Sequence, residues 1–389
     1  MNTSNKTEQH QEQFFQLLRL SMGVTEQKDF VATDEDWQWL HEEADRQSLT
    51  GIIYGAVAQL PASQQPPMEL LIQWICEADV INGKNELLNQ ESARLTRLFS
   101  EQGRKTAILK GQANARLYPD KFARQPGDID IWVEGGRDSV INLLVSMGLL
   151  DEIPTIADYG KCGKATKSDH DVRLPTTKDG IVVEVHYRPS SGTINPFTNK
   201  RQQLWLNAEI MNTEVVEEGF NVPSMKFNLM MQLAHIHYHF FELGIGLRQV
   251  CDYFMLLKNS SEEDRWMVSA YLKSFGLRET AGALMWVLGE VLQLDSALML
   301  CEPDSYRGEW MLREIMEGGN FGQYAQRRHQ GIWRETFAVR LRHLRMMRFN
   351  FQEVFWLEAN YWKNIIQTLP ERIRRHSFSL DEHKQTKRN

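Results

Sequence analysis

Asp128-Ile129-Asp130 sets two carboxylates two residues apart, in a run through Val133 where charged and apolar residues alternate before turning aliphatic. On a strand, positions i and i+2 point to the same face, so the two acids project side by side. Like charges that close repel unless a proton or a cation sits between them. Mg²⁺ suits such a pair, because it takes one or two carboxylates together with waters and substrate phosphates. The plain alternative is a solvated strand end beside Gly127. A second acidic strand adds weight. In Ile181-Val182-Val183-Glu184-Val185-His186-Tyr187 the odd-numbered residues are apolar, and Glu184 and His186 fall on the other face. A carboxylate in such a run is costly to bury without a partner. If the two strands are neighbours, three carboxylates converge, as a two-metal phosphoryl or nucleotidyl transfer site requires. His186 then either orients Glu184, touches a substrate phosphate or merely satisfies the strand edge.

The third feature is a glycine turn. Thr106 to Leu109 is a short apolar run, Lys110-Gly111 ends it, and Ala113 to Leu117 fits a helix. A glycine there lets backbone approach a phosphate, and a helix start offers free N–H groups to it. Lys110 adds a cation, and Arg124, in the loop before the acidic strand, could clamp phosphate oxygens.

These residues need a scaffold. The order from 105 onward reads strand, helix, strand, helix, strand, strand, with Ser139 to Met147 as the second helix and Asp171 to Leu174 pairing with Ile181 to Tyr187. That is a small mixed-sheet unit of an α+β protein. Before it, Thr33 and Asp36 form a capping-box pattern ahead of Trp37, and a long helix runs from Met68 to about Ser100, with Gly83 as a candidate break. After Pro223 the chain is helical again. The expected organisation is a helical region at 1–103, an α/β core at 104–223, a second helical region at 224–375 and a polar tail at 376–389.

Leu109-Lys110-Gly111, Tyr118-Pro119, Arg124, Asp128-Ile129-Asp130 and Glu184-Val185-His186, followed by Leu233-Ala234-His235 through His239, Leu247-Arg248 and Asp252, resemble the bacterial group labelled uncharacterised nucleotidyltransferase, within the DNA polymerase beta-like superfamily. The resemblance covers roughly residues 105 to 260. It implies a polymerase beta-like core in which Asp128, Asp130 and Glu184 hold two Mg²⁺ or Mn²⁺ ions. It also implies Gly111 at a phosphate turn; from their positions, Lys110, Gln112, Arg124 and His186 are the residues expected around the nucleotide. Gln112 stands where the superfamily has a small Gly or Ser. The implied reaction moves a nucleoside monophosphate from a nucleoside triphosphate, ATP being the expected one, to an acceptor hydroxyl on a small molecule, protein or RNA, and releases pyrophosphate. Two other readings stay open: a non-catalytic nucleotide- or partner-binding protein of the same fold, and a toxin–antitoxin component that modifies tRNA or protein.

His235, His237 and His239 lie on one expected helix, and the first and last share a face at the spacing of a metal-binding pair. Packing against the α/β unit is the favoured reading, with His235, His239, Arg248 and Asp252 as candidate cleft residues. Arg327 to Arg348 carries seven arginines against one acid, and Phe337, Leu341, Leu344, Met347 and Phe351 fall on one helical stripe. Such a face is either solvated or binds phosphate, RNA or an acidic partner.

Composition bounds the rest. A chain of 389 residues with 42% hydrophobic and 24% charged residues can build a core, which excludes a wholly disordered or collagen-like protein. A net charge of −7 argues against a nucleic-acid coat, although the basic segment keeps a local contact open. Cys76, Cys162, Cys251 and Cys301 form no CxxC pair, so neither a zinc cluster nor a disulfide framework is expected. With no apolar leader and no spanning run, the expected setting is the cytoplasm, without a membrane partner.

Overall fold

The structure, a computed structural model, describes residues 3–26, 29–151, 166–167, 170–324 and 332–374. Cys162, Arg327, Arg328 and the 376–389 tail lie outside the described residues. The fold is mixed α+β, mostly helical, around one small mixed sheet. Strands β1 (Thr106–Ile108), β2 (Ile129–Val133), β3 (Thr166–Lys167), β4 (Asp171–Arg173) and β5 (Val183–His186) lie in the order β1-β2-β5-β4-β3. Only β2 and β5 run parallel, and their register sets Asp130 opposite Glu184 and Trp132 opposite His186. β4 runs antiparallel to β5 and sets Asp171 opposite His186.

Strand periodicity divides the sheet into two faces. Ile129, Ile131 and Val133 of β2, Val183 and Val185 of β5 and Val172 of β4 share a hydrophobic cluster with Leu88, Leu95 and Phe99 of helix α4 (Met68–Glu101) and Val140, Ile141 and Leu144 of α6 (Gly136–Ser146). The opposite face carries Asp130, Glu184, His186 and Asp171. Every residue of β2 is buried, so this polar face is covered as well.

The helical regions on either side of the sheet meet. Buried residues of α1 (Thr3–Ser21), α2 (Asp34–Arg46) and α3 (Thr50–Val57) share one core with those of α8 (Met225–Glu242), α9 (Leu247–Lys258), α11 (Arg278–Leu292) and α12 (Ser305–Gly318). Arg19 donates to the carbonyls of Val291 and Glu290 near the end of α11. Those carbonyls lack intrahelical donors and are at the negative end of the helix.

The capping box at Thr33 and Asp36 is present in both directions. Gly83 does not interrupt α4, which is continuous across it. A glycine inside a helix is only mildly unfavourable, and packing of the long helix outweighs that. Asp128 lies one residue ahead of β2 rather than inside it. The elements not read from the sequence are β3, helix α7 (Pro196–Glu209) and the hairpin of β6 (Thr213–Val215) and β7 (Asn221–Pro223). The expected stripe at 337–351 is corrected. The helix α13 (Ile332–Met346) stops, and Phe351 begins α14 (Phe351–Arg374). Leu341, Leu344 and Phe351 are exposed, whereas His343, Met346 and Phe349 are buried. The break at 347–350 shifts the helical phase, so residues on one face of a continuous helix no longer share one. Phe337 and Arg334 have no described side chain.

Arg124 and Asp252 form a strut between the loop before β2 and α9. Arg124 is buried, with Nε donating to Asp252 Oδ1 at 2.7 Å and Nη2 to Oδ2 at 2.7 Å. The Tyr118 hydroxyl donates to the same Oδ1 at 2.8 Å. Burial works against the charge on Asp252, but Arg124 outweighs it and holds the carboxyl below the ordinary range. Removing one member of such a pair strands a buried charge. Asp252→Ala is therefore expected to lower stability by about 3–5 kcal/mol, read as a fall in the urea midpoint; a midpoint equal to the parent's would show that the strut carries no load.

Candidate functional site

The acidic face is built around Asp130. Its Oδ1 accepts from Lys110 Nζ at 3.0 Å and lies 2.9 Å from His186 Nε2. Asp130 is 4% exposed and His186 3%, so neither depends on water for a partner. Burial alone would raise the Asp130 pKa, yet Lys110 and then His186 outweigh it and hold the carboxyl well below the usual carboxylate range. Burial also works against protonation of His186, but the bond to Asp130 raises its pKa.

Lys110 reaches this position through the turn. Gly111 has φ 53° and ψ −106°, backbone that a side chain would strain, and a Cβ there would meet the Asp128 carbonyl at 3.4 Å. The Leu109 amide bonds the Asp130 carbonyl at 2.9 Å and locks the turn to β2. After it comes α5 (Gln112–Ala115), a single short turn of helix. Asn114 and Gln232 exchange two amide hydrogen bonds at 2.8 Å and tie α5 to α8.

Asp130, Glu184 and His186 each offer a ligand atom within 4.8 Å of the others. Among the described residues Asp128 stands outside that group. Asp128 is exposed to solvent, although protein encloses much of it. That enclosure, then Asp130, raises its pKa. Glu184 shows the crowding most clearly: burial first, then Asp128, Asp130 and Asp171, push it up to about 8. Lys110 answers part of this charge; burial lowers its pKa, but Asp130, Asp128 and Glu184 together raise it. The donor set of carboxylate oxygens suits a hard divalent cation.

The other candidate residues divide into two groups. Gln112 turns away from the acids, donating to the Asn85 carbonyl at 3.3 Å and Asn89 Oδ1 at 2.7 Å on α4. Arg124 and Asp252 are joined in the strut, so the guanidinium is already matched to a carboxylate. Arg248 lies within electrostatic reach of Asp128. Burial, then Arg124, push its pKa down to about 10 while Asp252 and Asp128 oppose this. Its Nε is buried without a hydrogen-bond partner among the described residues. His235 lies within electrostatic reach of Lys110, His170 and His186, and burial leads the fall of its pKa well below the ordinary value. His239 packs its ring 4.2 Å from that of His235 and 5.3 Å from Phe321. His237 is fully buried, with Nδ1 2.7 Å from Thr280 Oγ1 of α11, so it packs within the helical core rather than against the α/β unit.

In the basic segment, Arg340 bonds Glu358 and lies over the Tyr361 ring. Arg342 bonds Glu314 at 3.3 Å and the Phe240 and Phe241 carbonyls at 2.6 and 2.7 Å, at the end of α8. Arg345 and Arg348 are exposed. Two residues beside the acidic face escaped the sequence reading. His170 and Asp171 join it because β4 pairs with β5 in the register that sets Asp171 opposite His186; the pairing was expected from the sequence, the register was not. No helix among the described residues is long and apolar enough to cross a membrane.

The described geometry is thus an acidic cluster on a small mixed sheet, answered by a lysine from a glycine turn. Residues 33–293, more than half of the chain, match the family described as "Uncharacterised nucleotidyltransferase", and the chain belongs to it. It is similar to the crystal structure of an antigenic nucleotidyltransferase-like protein from Paracoccidioides brasiliensis, with 14% identity over 57% of this chain and 96% of that one and a TM-score of 0.35. A comparison with curated proteins gives no match.

Glu184 yields a pH prediction. Its pKa in the folded protein, about 8, lies above the ordinary 4.5. It therefore adds stability in full below 4.5 and loses it as pH rises through about 8. A bound cation competes with that proton. The rise in melting temperature on adding Mg²⁺ or Mn²⁺ is expected to grow from pH 6 to pH 9, and Glu184→Gln should flatten this dependence. A cation effect that is independent of pH, or unchanged in Glu184→Gln, would contradict the assignment.

Proposed function

We propose that this chain is a Mg²⁺- or Mn²⁺-dependent nucleotidyltransferase on a polymerase beta-like core at residues 104–223. It moves a nucleoside monophosphate from a nucleoside triphosphate, ATP being the expected one, to a hydroxyl on an acceptor and releases pyrophosphate. The acceptor is a small molecule, a protein or an RNA. The observation that carries the reading is the pairing of Asp130 with Glu184 across parallel strands, where burial, and after it the charges of Asp128, Asp130 and Asp171, lift Glu184 to about 8. Membership of the nucleotidyltransferase family supports it.

Asp128, Asp130 and Glu184 would hold two divalent ions, and their oxygen-only donor set fits such ions. When bound, the ions supply Lewis-acid stabilisation of phosphate charge and lower the pKa of an attacking hydroxyl. The chain's own groups do the rest. Asp130 is oriented by Lys110 and His186. Lys110 and Arg248 bring positive charge to a triphosphate, and the Gly111 turn lets backbone approach it. One of the three carboxylates would also accept the proton of the acceptor hydroxyl as general base.

A second reading, nucleotide binding without turnover, draws on Lys110, which already answers part of the charge that a metal ion would neutralise. One experiment separates them. The full chain is incubated with each α-labelled nucleoside triphosphate, Mg²⁺ and cell lysate, and labelled small molecules, RNA and protein are resolved. Transfer is expected, and Asp130→Ala should reduce it by on the order of 10²–10³-fold, several kcal/mol of lost charge stabilisation. Nucleotide binding without labelled product or pyrophosphate favours the second reading, and full activity in Asp130→Ala sinks the first.

A further inference from the structure

We propose that His170, Asp171 and His186 form a binding site for a divalent transition-metal ion of the Zn²⁺ class, beside the carboxylate cluster and sharing only the His186 imidazole with it. Each of the three residues offers a ligand atom within 4.8 Å of the other two. Two imidazole nitrogens and one carboxylate oxygen are donors for Zn²⁺ and its borderline neighbours, whereas Mg²⁺ prefers oxygen alone.

The sheet assembles this set. Antiparallel pairing of β4 with β5 puts Asp171 opposite His186, and His170 immediately precedes it. The two histidine rings lie 5.3 Å apart, and His170 Nε2 is 3.1 Å from Asp171 Oδ2. Three protein ligands would leave a tetrahedral ion one position for water or substrate.

Hydrogen bonding fixes which nitrogen of His186 is available. An ionised carboxylate only accepts, so at the 2.9 Å contact His186 Nε2–H donates to Asp130 Oδ1. In the neutral ring the lone pair is then on Nδ1. That atom is buried and has no hydrogen-bond partner among the described residues. An unsatisfied buried nitrogen is destabilising, and a metal ion is a natural partner for it. Ligating histidines are commonly oriented this way, with the second ring nitrogen held by a carboxylate. An ion here would fix Asp130 through His186. The inference does not depend on nucleotidyl transfer; it stands whether or not the chain turns over a nucleotide.

The full chain, stripped with a chelator, is titrated calorimetrically with Zn²⁺ in a large excess of Mg²⁺ and followed with Co²⁺ by its visible absorption. One equivalent of Zn²⁺ is expected to bind despite the Mg²⁺, with a tetrahedral Co²⁺ spectrum. His170→Ala and Asp171→Asn should each weaken binding at least about tenfold, while Glu184→Gln leaves it close to the parent's. Melting curves in chelator verify folding, and His170→Gln replaces His170→Ala if the latter does not fold. Absence of Zn²⁺ binding under Mg²⁺ overturns the proposal. So does parent-like affinity in both His170 and Asp171 variants, or loss confined to Glu184→Gln. Loss of labelled transfer with Zn²⁺ binding intact would fault the nucleotidyltransferase reading alone.

Discussion

Negative charge held on the covered face of a small sheet is the constraint around which this molecule is organised. Asp130 lies in a fully buried strand, and a carboxylate there persists only with cationic and hydrogen-bonding partners. Lys110 and His186 provide them, one from a turn and one from the neighbouring parallel strand. Asp128, Glu184 and Asp171 then add more charge than these two answer. Burial first, and then this remainder, holds the proton on Glu184 to about pH 8. An acidic site that keeps a proton at neutral pH is one that a cation can occupy by displacing it.

The scaffold explains why those partners stay in place. α4 and α6 cover the apolar face of the sheet, and Asn114 and Gln232 pin the glycine turn to α8. The Arg124–Asp252 strut holds the loop before β2 against α9. Arg124 reads in the sequence as a phosphate clamp, since a lone arginine near an acidic strand has that chemistry. Its carboxylate lies on a helix more than a hundred residues downstream, and only folding brings the two together. Paired through both Nε and Nη2 and buried, it ties the loop to α9. Arg248, whose Nε has no hydrogen-bond partner among the described residues, is the arginine left within electrostatic reach of Asp128.

Local rules were legible where a short window holds the whole cause. The alternation in 181–187 told which residues share a face, and the capping box at Thr33 and Asp36 marked a helix start. The stripe at 337–351 failed because helical phase carries across a break only if the helix does. Gln112 was read with the phosphate turn from its position, but its side chain follows the packing of α5 against α4. The histidines at 235, 237 and 239 look alike in sequence. His237 is sealed in the core, and His235 lies within reach of Lys110.

The sequence by itself determined the acidic strands, the glycine turn between strand and helix, and the α+β character, because periodicity and turn chemistry act over a few residues. Tertiary structure alone decided that Asp130 lies opposite Glu184, that Lys110 enters the acidic cluster, and that His170 and Asp171 join His186. Strand register and loop closure are set by contacts between distant segments, and no short stretch of chain encodes them.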